Sequence, residues 1–471
     1  MKIKFNKNYL ILFVVLLFIL LVECAIKWTF NQFGRVNMDE VLLVINSGPG
    51  GMDMGLAWSF VKKVVMRAFG WATALTILCA VFKRYKIVTW ASVIAVSGVF
   101  LYRLVSCNIQ MGSFFNFKKS DFYQKHYIDP NTAKISFPEK RNIVVIALES
   151  MEKIYADEKL FGDGGIIPNI TKMEQEHFSF ENYNSLSGLS HTIAAITGFT
   201  TGLPLFYTSY RNIEKMRGAS GIGTIFKNNG YQTWAIFPAN GNFSKKSGFL
   251  TRMGFDRIYD GHELRDMLDY ELDVAPFQGV DDYTLFELSK PIITNIIKSD
   301  QPYFIFMETV NTHCEGYFTD ACRKMGFAQE TMEDIAKCDD KIIYDFVQWM
   351  RQADPSAVII LLNDHPQHSG EIMKKLSRIK NRPLANVFIN TNIFDGANMS
   401  RPVAAFDFFP TIIESAGGEI HGCRLGLGTS LSARCGANKT LREQYGDAPL
   451  EKLMEQRNDL YYKLASGVDK K

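Results

Sequence analysis

Apolar residues are concentrated in three long segments near the N-terminus, after which shorter apolar runs alternate with polar ones. Residues 9–22 form an uninterrupted apolar run, and two further stretches cover about residues 68–82 and 87–102. Each approaches the lower limit of the roughly 17–25 residues with which a helix crosses a bilayer. The pattern predicts three membrane-spanning helices within residues 1–106. A signal peptide is the alternative for the first segment, but no small-x-small cleavage site follows it.

Basic residues next to these segments predict their orientation. They are Lys2, Lys4 and Lys7 before the first segment, and Lys83, Arg84 and Lys86 between the second and third. Because cytoplasmic loops are enriched in Lys and Arg, both clusters are expected inside, and the chain after Arg103 outside the cytoplasm. Residues 55–67 carry further cations and are expected to form an interfacial amphipathic helix.

The rest of the chain has the pattern of an α/β domain. Residues 142–148 are continuously apolar after Asn142 and mostly β-branched, as in a strand buried on both faces of a parallel sheet. Further strands are predicted at residues 231–237, 303–309, 357–363 and 387–390, and helices at 168–176, 223–229 and 408–416, the last with Pro410 in its first turn. This alternation predicts a mostly parallel sheet with helices on both faces in residues 137–471. Residues 107–136 are expected to be a linker.

Charge and cysteine usage narrow the function class and the compartment. The net charge is only +3, and no long basic run or four-cysteine zinc spacing is present, so nucleic acid is not an expected partner. In an oxidising compartment, Cys322–Cys338 and Cys423–Cys435 are expected to pair, which leaves Cys314 free. Reduced thiols in a cytosolic domain are the alternative.

Ionisable residues follow three of the predicted strands. Glu149 follows residues 142–148, Asp364 and His365 follow residues 357–363, and His313 lies shortly after residues 303–309. Ligands of open α/β sheets bind beyond the carboxyl ends of the strands. Carboxylates mixed with imidazoles suit Mn²⁺, Mg²⁺ or Zn²⁺, so a metal site is predicted at this edge.

A loop of small polar residues leads into a predicted helix that begins at about Thr192. A hydroxyl at the start of a helix is most often an N-cap. The functional alternative is a nucleophile at a helix N-terminus that can hold a phosphate. A Thr hydroxyl needs a base or a metal for activation, which the adjacent predicted metal site would supply.

These motifs resemble the alkaline phosphatase/sulfatase superfamily, and within it the phosphoglycerol transferase branch, which includes lipoteichoic acid synthases and the transferase that decorates periplasmic glucans. The resemblance covers residues 142–431. It is carried by Leu148-Glu149-Ser150, the stretch from Thr192 to Pro204, the stretch from Gly223 to Tyr231, Met253-Gly254-Phe255, Asn363-Asp364-His365 and the stretch from Phe406 to Thr411. The Cys/Ser-x-Pro-x-Arg motif of true sulfatases is absent from Thr192 onward, so sulfate hydrolysis is not expected.

The resemblance implies roles for individual residues in an alkaline-phosphatase-like domain that follows the membrane helices. Four residues are expected to bind one divalent metal ion, with Mn²⁺ expected first and Zn²⁺ or Mg²⁺ as alternatives. They are Glu149, Thr192, Asp364 and His365. Thr192 is also the expected nucleophile, and His313 is expected to contact the transferred phosphate or to protonate the leaving oxygen.

Four more residues are expected to bind substrate by the same resemblance. Lys246 stands where relatives have a phosphate-binding cation, although a solvated loop lysine is an equal alternative, and Asn242 lies in the same loop. Asp281 and Asp282 match an acidic pair for the donor headgroup, but Gln278-Gly279 replaces the Trp-Gly that precedes the pair in relatives. Asn363, where relatives often have Ser, is expected to matter little.

The function that the resemblance implies is transfer of phosphoglycerol from phosphatidylglycerol to an extracytoplasmic glycan, through a phospho-threonine intermediate. The expected location is the bacterial inner membrane, with the catalytic domain in the periplasm. One alternative is a phosphoethanolamine transferase with the same chemistry and another donor. An alternative of another class is a non-catalytic membrane protein that binds glycans, which loss of a metal ligand would indicate.

Overall fold

A computed structural model describes residues 7–33, 58–82, 86–106, 118–206, 216–313, 316–368 and 370–468. The chain forms two compact units, one of which consists mainly of the N-terminal helices. The helices of that unit are Lys7–Phe33, Arg67–Val81 with the π-helical segment Val61–Met66 before it, and Lys86–Ser106. Cys314 and the basic residues 2, 4, 83 and 84 lie outside the described residues.

Two helical segments of the described chain, Lys7–Thr29 and Trp58–Val81, are long and apolar enough to cross a membrane by length and composition. The third apolar stretch, Thr89–Tyr102, is shorter. The described part of the expected interfacial helix is continuous with the second apolar segment and is not a separate element. The third span and the orientation remain predictions.

The second unit is built around a mixed β-sheet. The strands of its described residues are β1 Ile135–Ser136, β2 Ile143–Leu148, β3 Asn182–Tyr183, β4 Gln232–Ile236, β5 Arg257–Tyr259, β6 Tyr303–Glu308, β7 Val358–Asn363, β8 Asn386–Ile389, β9 Pro402–Val403, β10 Glu419–Ile420, β11 Arg424–Leu425 and β12 Gly428–Thr429. In the described residues the central sheet has the order β5-β4-β6-β2-β7-β8, with β8 antiparallel to β7 and the other neighbours parallel. The predicted α/β fold with a mostly parallel sheet is confirmed.

Helices cover both faces of this sheet. The helices of the second unit are Phe122–His126, Glu158–Phe161, Pro168–Glu176, Thr192–Thr201, Ile222–Asn228, Lys246–Arg252, Gly261–Asp266, Asp282–Ile297, Asp320–Lys324, Met332–Ala353, Met373–Leu376, Ala405–Ser415, Leu441–Tyr445, Asp447–Met454 and Asp459–Ser466. Successive strand residues point to opposite faces, so Val145 and Ala147 join one core with the helices Thr192–Thr201 and Ala405–Ser415. Val144 and Ile146 join the other core, with the helices Asp282–Ile297 and Met332–Ala353.

The position of Pro410 in its helix differs from the prediction. The helix is Ala405–Ser415, so Pro410 lies in its interior and not in its first turn. The start is set by Asp407, whose Oδ2 accepts a hydrogen bond from the Ala404 N–H at 3.0 Å. The sequence pattern placed the start too late because it does not show which side chain caps the helix.

Both predicted disulfides are present. Cys322 is bonded to Cys338 and Cys423 to Cys435, with Cα–Cα distances of 5.5 and 5.6 Å. The first ties the helix Asp320–Lys324 to the helix Met332–Ala353 inside the core on one face of the sheet. Both pairs are consistent with folding in an oxidising compartment.

Candidate active site

Three carboxylates stand in one row at the carboxyl edge of the sheet. Glu308 ends β6, Glu149 follows β2 and Asp364 follows β7. Ala147 is in register with both Glu308 and Leu362, and side chains two residues apart share a face. The alternation therefore points all three carboxylates to the face that the Thr192–Thr201 helix covers. All three are buried.

Glu149 is held by hydrogen bonds on its main chain and its side chain. Its N–H donates to Thr309 Oγ1 at 2.9 Å, and its carbonyl oxygen accepts from Thr312 Oγ1 at 2.5 Å. The next residue, Ser150, has a φ of 51° and donates from Oγ to Glu149 Oε1 at 2.9 Å. A non-glycine residue in this strained region is typical of functional sites, and here it turns the Ser150 hydroxyl back onto the carboxylate.

Asp364 offers one oxygen to the protein and keeps the other unpaired. Its Oδ1 accepts from the N–H groups of Ser150 at 3.0 Å and of His365 at 2.6 Å. Its Oδ2 is buried and accepts no hydrogen bond from the described residues, with His365 Nε2 at 3.4 Å. A buried carboxylate oxygen without a donor is costly unless a cation occupies the space before it.

Thr192 is the first residue of its helix, but it is not the N-cap, which is His191. The N-cap interpretation of Thr192 is therefore wrong. Its Oγ1 lies 3.2 Å from Glu149 Oε2 and 3.3 Å from His365 Nε2. The residues that follow it in the helix are buried in the core, so the hydroxyl is fixed by packing on the row of carboxylates.

The donor set fits a divalent metal ion. Ligand atoms of Glu149, Asp364 and His365 lie within 4.8 Å of one another, and Thr192 Oγ1 is next to two of these residues. Burial raises the pKa of Glu149, and burial together with the nearby Glu149 charge raises the pKa of Asp364 to about 6. Carboxylate and imidazole donors suit Zn²⁺ and Mn²⁺.

Lys246 is buried beside this row and is not a solvated loop lysine. Only 3% of its surface is exposed, and its Nζ lies 2.5 and 2.6 Å from the two carboxylate oxygens of Glu308. The Nζ also lies 5.0 Å from the centre of the Phe237 ring. Ser244 and Lys245, just before it, both have positive φ, which gives the chain a tight turn into the helix Lys246–Arg252. Burial raises the pKa of Glu308.

Asp281 and Asp282 have structural partners. Asp281 caps the helix Asp282–Ile297 by accepting from the N–H groups of Tyr283 and Thr284. Asp282 accepts from the N–H groups of Val310 and Asn311 in the loop after β6. These contacts explain both carboxylates without substrate.

The remaining predicted residues lie in loops around the edge. His313 ends the turn after β6, and its ring contacts the Phe277 ring edge-on at 4.8 Å between centroids. Asn242 is exposed, and its N–H donates to Asn240 Oδ1 at 3.0 Å. The structure thus brings together Glu149, Thr192, Asp364 and His365. Among the described residues, no contact joins Asn242 to that group.

Sequence reasoning missed three residues of the site: Glu308, Ser150 and Asn363. The signal for Glu308 was a carboxylate inside a predicted strand, on the same face as Phe304 and Phe306. Asn363 was expected to matter little, yet its Oδ1 accepts from the Met151 N–H and its Nδ2 donates to the His365 carbonyl at 3.1 Å. It therefore ties the turn after β2 to the turn after β7.

The chain is similar in sequence to a curated bacterial protein. Phosphoglycerol transferase I of Xanthomonas euvesicatoria pv. vesicatoria is 26% identical over 315 residues, which cover 63% of this chain and 43% of that protein. The chain thus spans less than half the length of this curated relative.

Two solved structures share the fold. One is a Vibrio parahaemolyticus protein in the alkaline phosphatase superfamily, with a TM-score of 0.50, 20% identity and coverage of 62% of this chain and 71% of that one. The other is lipooligosaccharide phosphoethanolamine transferase A of Neisseria meningitidis, an integral membrane protein, with a TM-score of 0.53, 13% identity and coverage of 90% and 87%. The sulfatase family profile matches residues 141–418, more than half of the sequence. The chain belongs to the sulfatase family and has an alkaline-phosphatase-like fold.

Proposed function

We propose that this chain is a membrane-anchored transferase that moves a phosphoglycerol group from an anionic phospholipid to a hydroxyl of an extracytoplasmic glycan. The observation that carries the proposal is the Thr192 hydroxyl, 3.2 Å from Glu149 Oε2 and 3.3 Å from His365 Nε2 at the carboxyl edge of the sheet. The name of the Xanthomonas relative, phosphoglycerol transferase I, supports the same chemistry.

Glu149, Asp364, His365 and Thr192 would hold one divalent metal ion, for which Mn²⁺ is our first assignment. When bound, the metal supplies Lewis-acid stabilisation of the charge that develops on phosphorus-bound oxygens. All four residues are present, so the loss of a ligand that a non-catalytic glycan-binding protein would show is not found.

The chain's own residues would carry out a double displacement. In the first step Thr192 Oγ forms a bond to phosphorus while the bond to the diacylglycerol oxygen breaks. The Thr192 proton faces Glu149 Oε2 and His365 Nε2, which can accept it. We assign to His313 the donation of a proton to the departing oxygen, and diacylglycerol leaves.

In the second step a glycan hydroxyl attacks the phosphorus of the phospho-threonine. The phosphorus–Thr192 bond breaks, the acceptor proton is taken up within the site, and Thr192 regains its hydroxyl. Lys246 would hold a phosphate oxygen in both steps. For Asp282 we propose that it positions the loop that carries His313, and for Asp281 that it caps the adjacent helix.

The proposed location rests on the helices and the disulfides. The two helical segments suited to crossing a membrane that the described residues contain would keep the domain near a lipid donor, and the disulfides Cys322–Cys338 and Cys423–Cys435 suit an oxidising compartment such as the periplasm. We therefore propose the bacterial inner membrane, with the sulfatase-like domain outside the cytoplasm.

The donor is tested with vesicles that contain either headgroup-labelled phosphatidylglycerol or headgroup-labelled phosphatidylethanolamine, with purified full-length chain, Mn²⁺ and an oligosaccharide acceptor. Label from phosphatidylglycerol should enter the oligosaccharide, together with release of diacylglycerol. Label entering only from phosphatidylethanolamine would replace the donor that we propose. Absence of transfer from both lipids would contradict the proposed function.

A further inference from the structure

Glu308 is the carboxylate of the row that the proposed chemistry does not use. Glu308 lies on β6 in register with Ala147 of the neighbouring strand β2. Glu149 is two residues beyond Ala147, so Glu308 is one side-chain position behind it, about 7 Å along the strand direction. Glu308 is 4% exposed, and its partner Lys246 is 3% exposed. A buried, ion-paired carboxylate one side-chain position from a proposed metal ligand needs an explanation of its own.

The geometry of the ion pair suggests that explanation. Lys246 Nζ lies 2.5 and 2.6 Å from the two oxygens of Glu308, so two of its three N–H donors are directed to that carboxylate. The third donor is left for a substrate oxygen or for the face of the Phe237 ring, whose centre lies 5.0 Å from the Nζ. The pair as a whole carries no net charge, so it offers a hydrogen bond without adding a full positive charge to the site.

The net charge of this pair bears on which phosphate esters the site accepts. A phosphomonoester carries close to two negative charges above pH 7, because its second pKa is about 6, whereas a phosphodiester carries one. A free buried ammonium would favour the dianion strongly, because charge interactions are large where water is excluded. The Lys246–Glu308 pair has no net charge and therefore favours the dianion over the monoanion much less.

We propose that Glu308 is a specificity-determining residue that neutralises Lys246 and so makes the site selective for monoanionic phosphodiesters over dianionic phosphomonoesters. This inference rests on the proposed function, since it concerns the donor class of the same site. It assigns Glu308 a role in substrate selection that is separate from metal binding and from nucleophilic attack.

The test compares two chromogenic esters and one ligand. The esters are bis(p-nitrophenyl) phosphate, a monoanionic diester, and p-nitrophenyl phosphate, a monoester that is dianionic at pH 8. The ligand is inorganic phosphate, whose Kd is measured by titration calorimetry. The variants are Glu308→Gln, which leaves Lys246 unpaired, and the double variant Lys246→Gln/Glu308→Gln, which replaces the pair by neutral side chains.

Glu152→Gln is the matched control. Glu152 is also a fully buried carboxylate in an ion pair, 2.8 Å from Arg382 Nε, but it has no contact with Lys246. It reports the effect of losing a buried charge in general. Cooperative thermal unfolding of each variant shows that it is folded.

The wild type should have the higher kcat/KM for the diester. Glu308→Gln should shift the ratio of the two kcat/KM values toward the monoester by about tenfold or more, and tighten phosphate binding by a similar factor. The double variant and Glu152→Gln should keep the wild-type ratio within about threefold.

A wild type that prefers the monoester would overturn the inference, and so would a Glu308→Gln variant with unchanged ratio and unchanged phosphate affinity. If Glu308→Gln does not fold, the inference is tested by the ester preference of the wild type and of the double variant. Loss of the diester preference in the double variant would contradict the inference. If the wild type cleaves neither ester, the vesicle assay with labelled lipids decides the proposed function separately, and the phosphate affinities decide the role of Glu308. Unchanged affinity for inorganic phosphate in Glu308→Gln would then overturn the inference.

Discussion

Thr192 Oγ1 lies 3.2 Å from Glu149 Oε2, across the gap between the first residue of a helix and the residue after β2. Two elements separated by more than forty residues thus meet at one hydroxyl. The contact is fixed from both sides, because the helix is packed into the core and Glu149 is held by Thr309 and Ser150. Such a fixed hydroxyl beside a base is the arrangement that nucleophilic catalysis requires.

Replacing Thr192 by Ala should abolish transfer and leave the fold intact. The N-cap of the helix is His191, so we expect a loss of stability of no more than about 1 kcal/mol. Activity should fall by several orders of magnitude, measured by release of diacylglycerol. Thr197→Ala is the matched control: it removes a hydroxyl from the same helix that donates to the Ile193 carbonyl, and it should remain active.

Replacing Asp364 by Ala should remove the metal and leave the sheet folded. The Oδ2 atom of Asp364 accepts no hydrogen bond from any residue that the structure describes, so the side chain gives the fold little on that side. Metal content by mass spectrometry should fall below stoichiometric levels, while circular dichroism stays close to wild type. Asp354→Asn, just before the opposite end of β7, should retain the metal. Full metal content in the Asp364 variant would show that the ligand assignment is incorrect.

The buried pair Asp282 and Asp339 should make stability depend on pH. Burial raises the pKa of both carboxyls, to about 7 for Asp339, and the charge of Asp339 raises that of Asp282 further. The folded chain therefore keeps a proton that the unfolded chain releases near pH 4. Stability from this proton is fully present below about pH 4 and is lost as pH rises to about 7, by about 1.4 kcal/mol per pH unit.

Chemical denaturation of wild type and Asp339→Asn between pH 5 and pH 8 checks this prediction. The variant mimics the protonated acid, so the wild type should lose about 2 to 3 kcal/mol relative to the variant between pH 5 and 7. Parallel curves for the two proteins would mean that the pair does not share a proton.

Removing the disulfide between Cys322 and Cys338 should destabilise the domain. The two residues are 16 positions apart, and a loop of about this length contributes about 3 kcal/mol in the chain-entropy estimate. Denaturation of Cys322→Ala/Cys338→Ala under non-reducing conditions should show a loss of this order. The free energies of unfolding of wild type and variant should differ without reductant and coincide when reductant is present. That result would assign the loss of stability to the disulfide bond and not to the side chains.

Much of the site could be predicted from strand ends, because parallel strands bring their carboxyl ends to one edge of the sheet. Glu149, Asp364 and His365 were found in this way, and Thr192 from the small-residue loop before its helix. Glu308 was missed because it lies within the predicted strand, where only side-chain alternation assigns it to the reactive face. Its pairing with Lys246 depends on the turn at Ser244 and Lys245, whose positive φ values no local pattern indicated.

Asp281 and Asp282 were expected to bind substrate, but in the structure their carboxylates have partners within the fold. Their resemblance to a headgroup-binding pair was a matter of sequence position, whereas their side chains satisfy backbone N–H groups at a helix start and in the β6 loop. Whether a carboxylate is used by the fold or by a ligand depends on which donors the tertiary structure brings to it. Sequence alone does not contain that information for residues so far apart.

The central claim is that Thr192 carries the transferred group. It is tested by mass spectrometry of the peptide that contains Thr192, after the full-length chain is incubated with Mn²⁺ and phosphatidylglycerol vesicles and quenched without acceptor. The account predicts a glycerol phosphate adduct on Thr192 that disappears when an oligosaccharide acceptor is added, and that Thr192→Ala does not form. Transfer to the acceptor at near wild-type rate by Thr192→Ala, or an adduct on another residue, would contradict it.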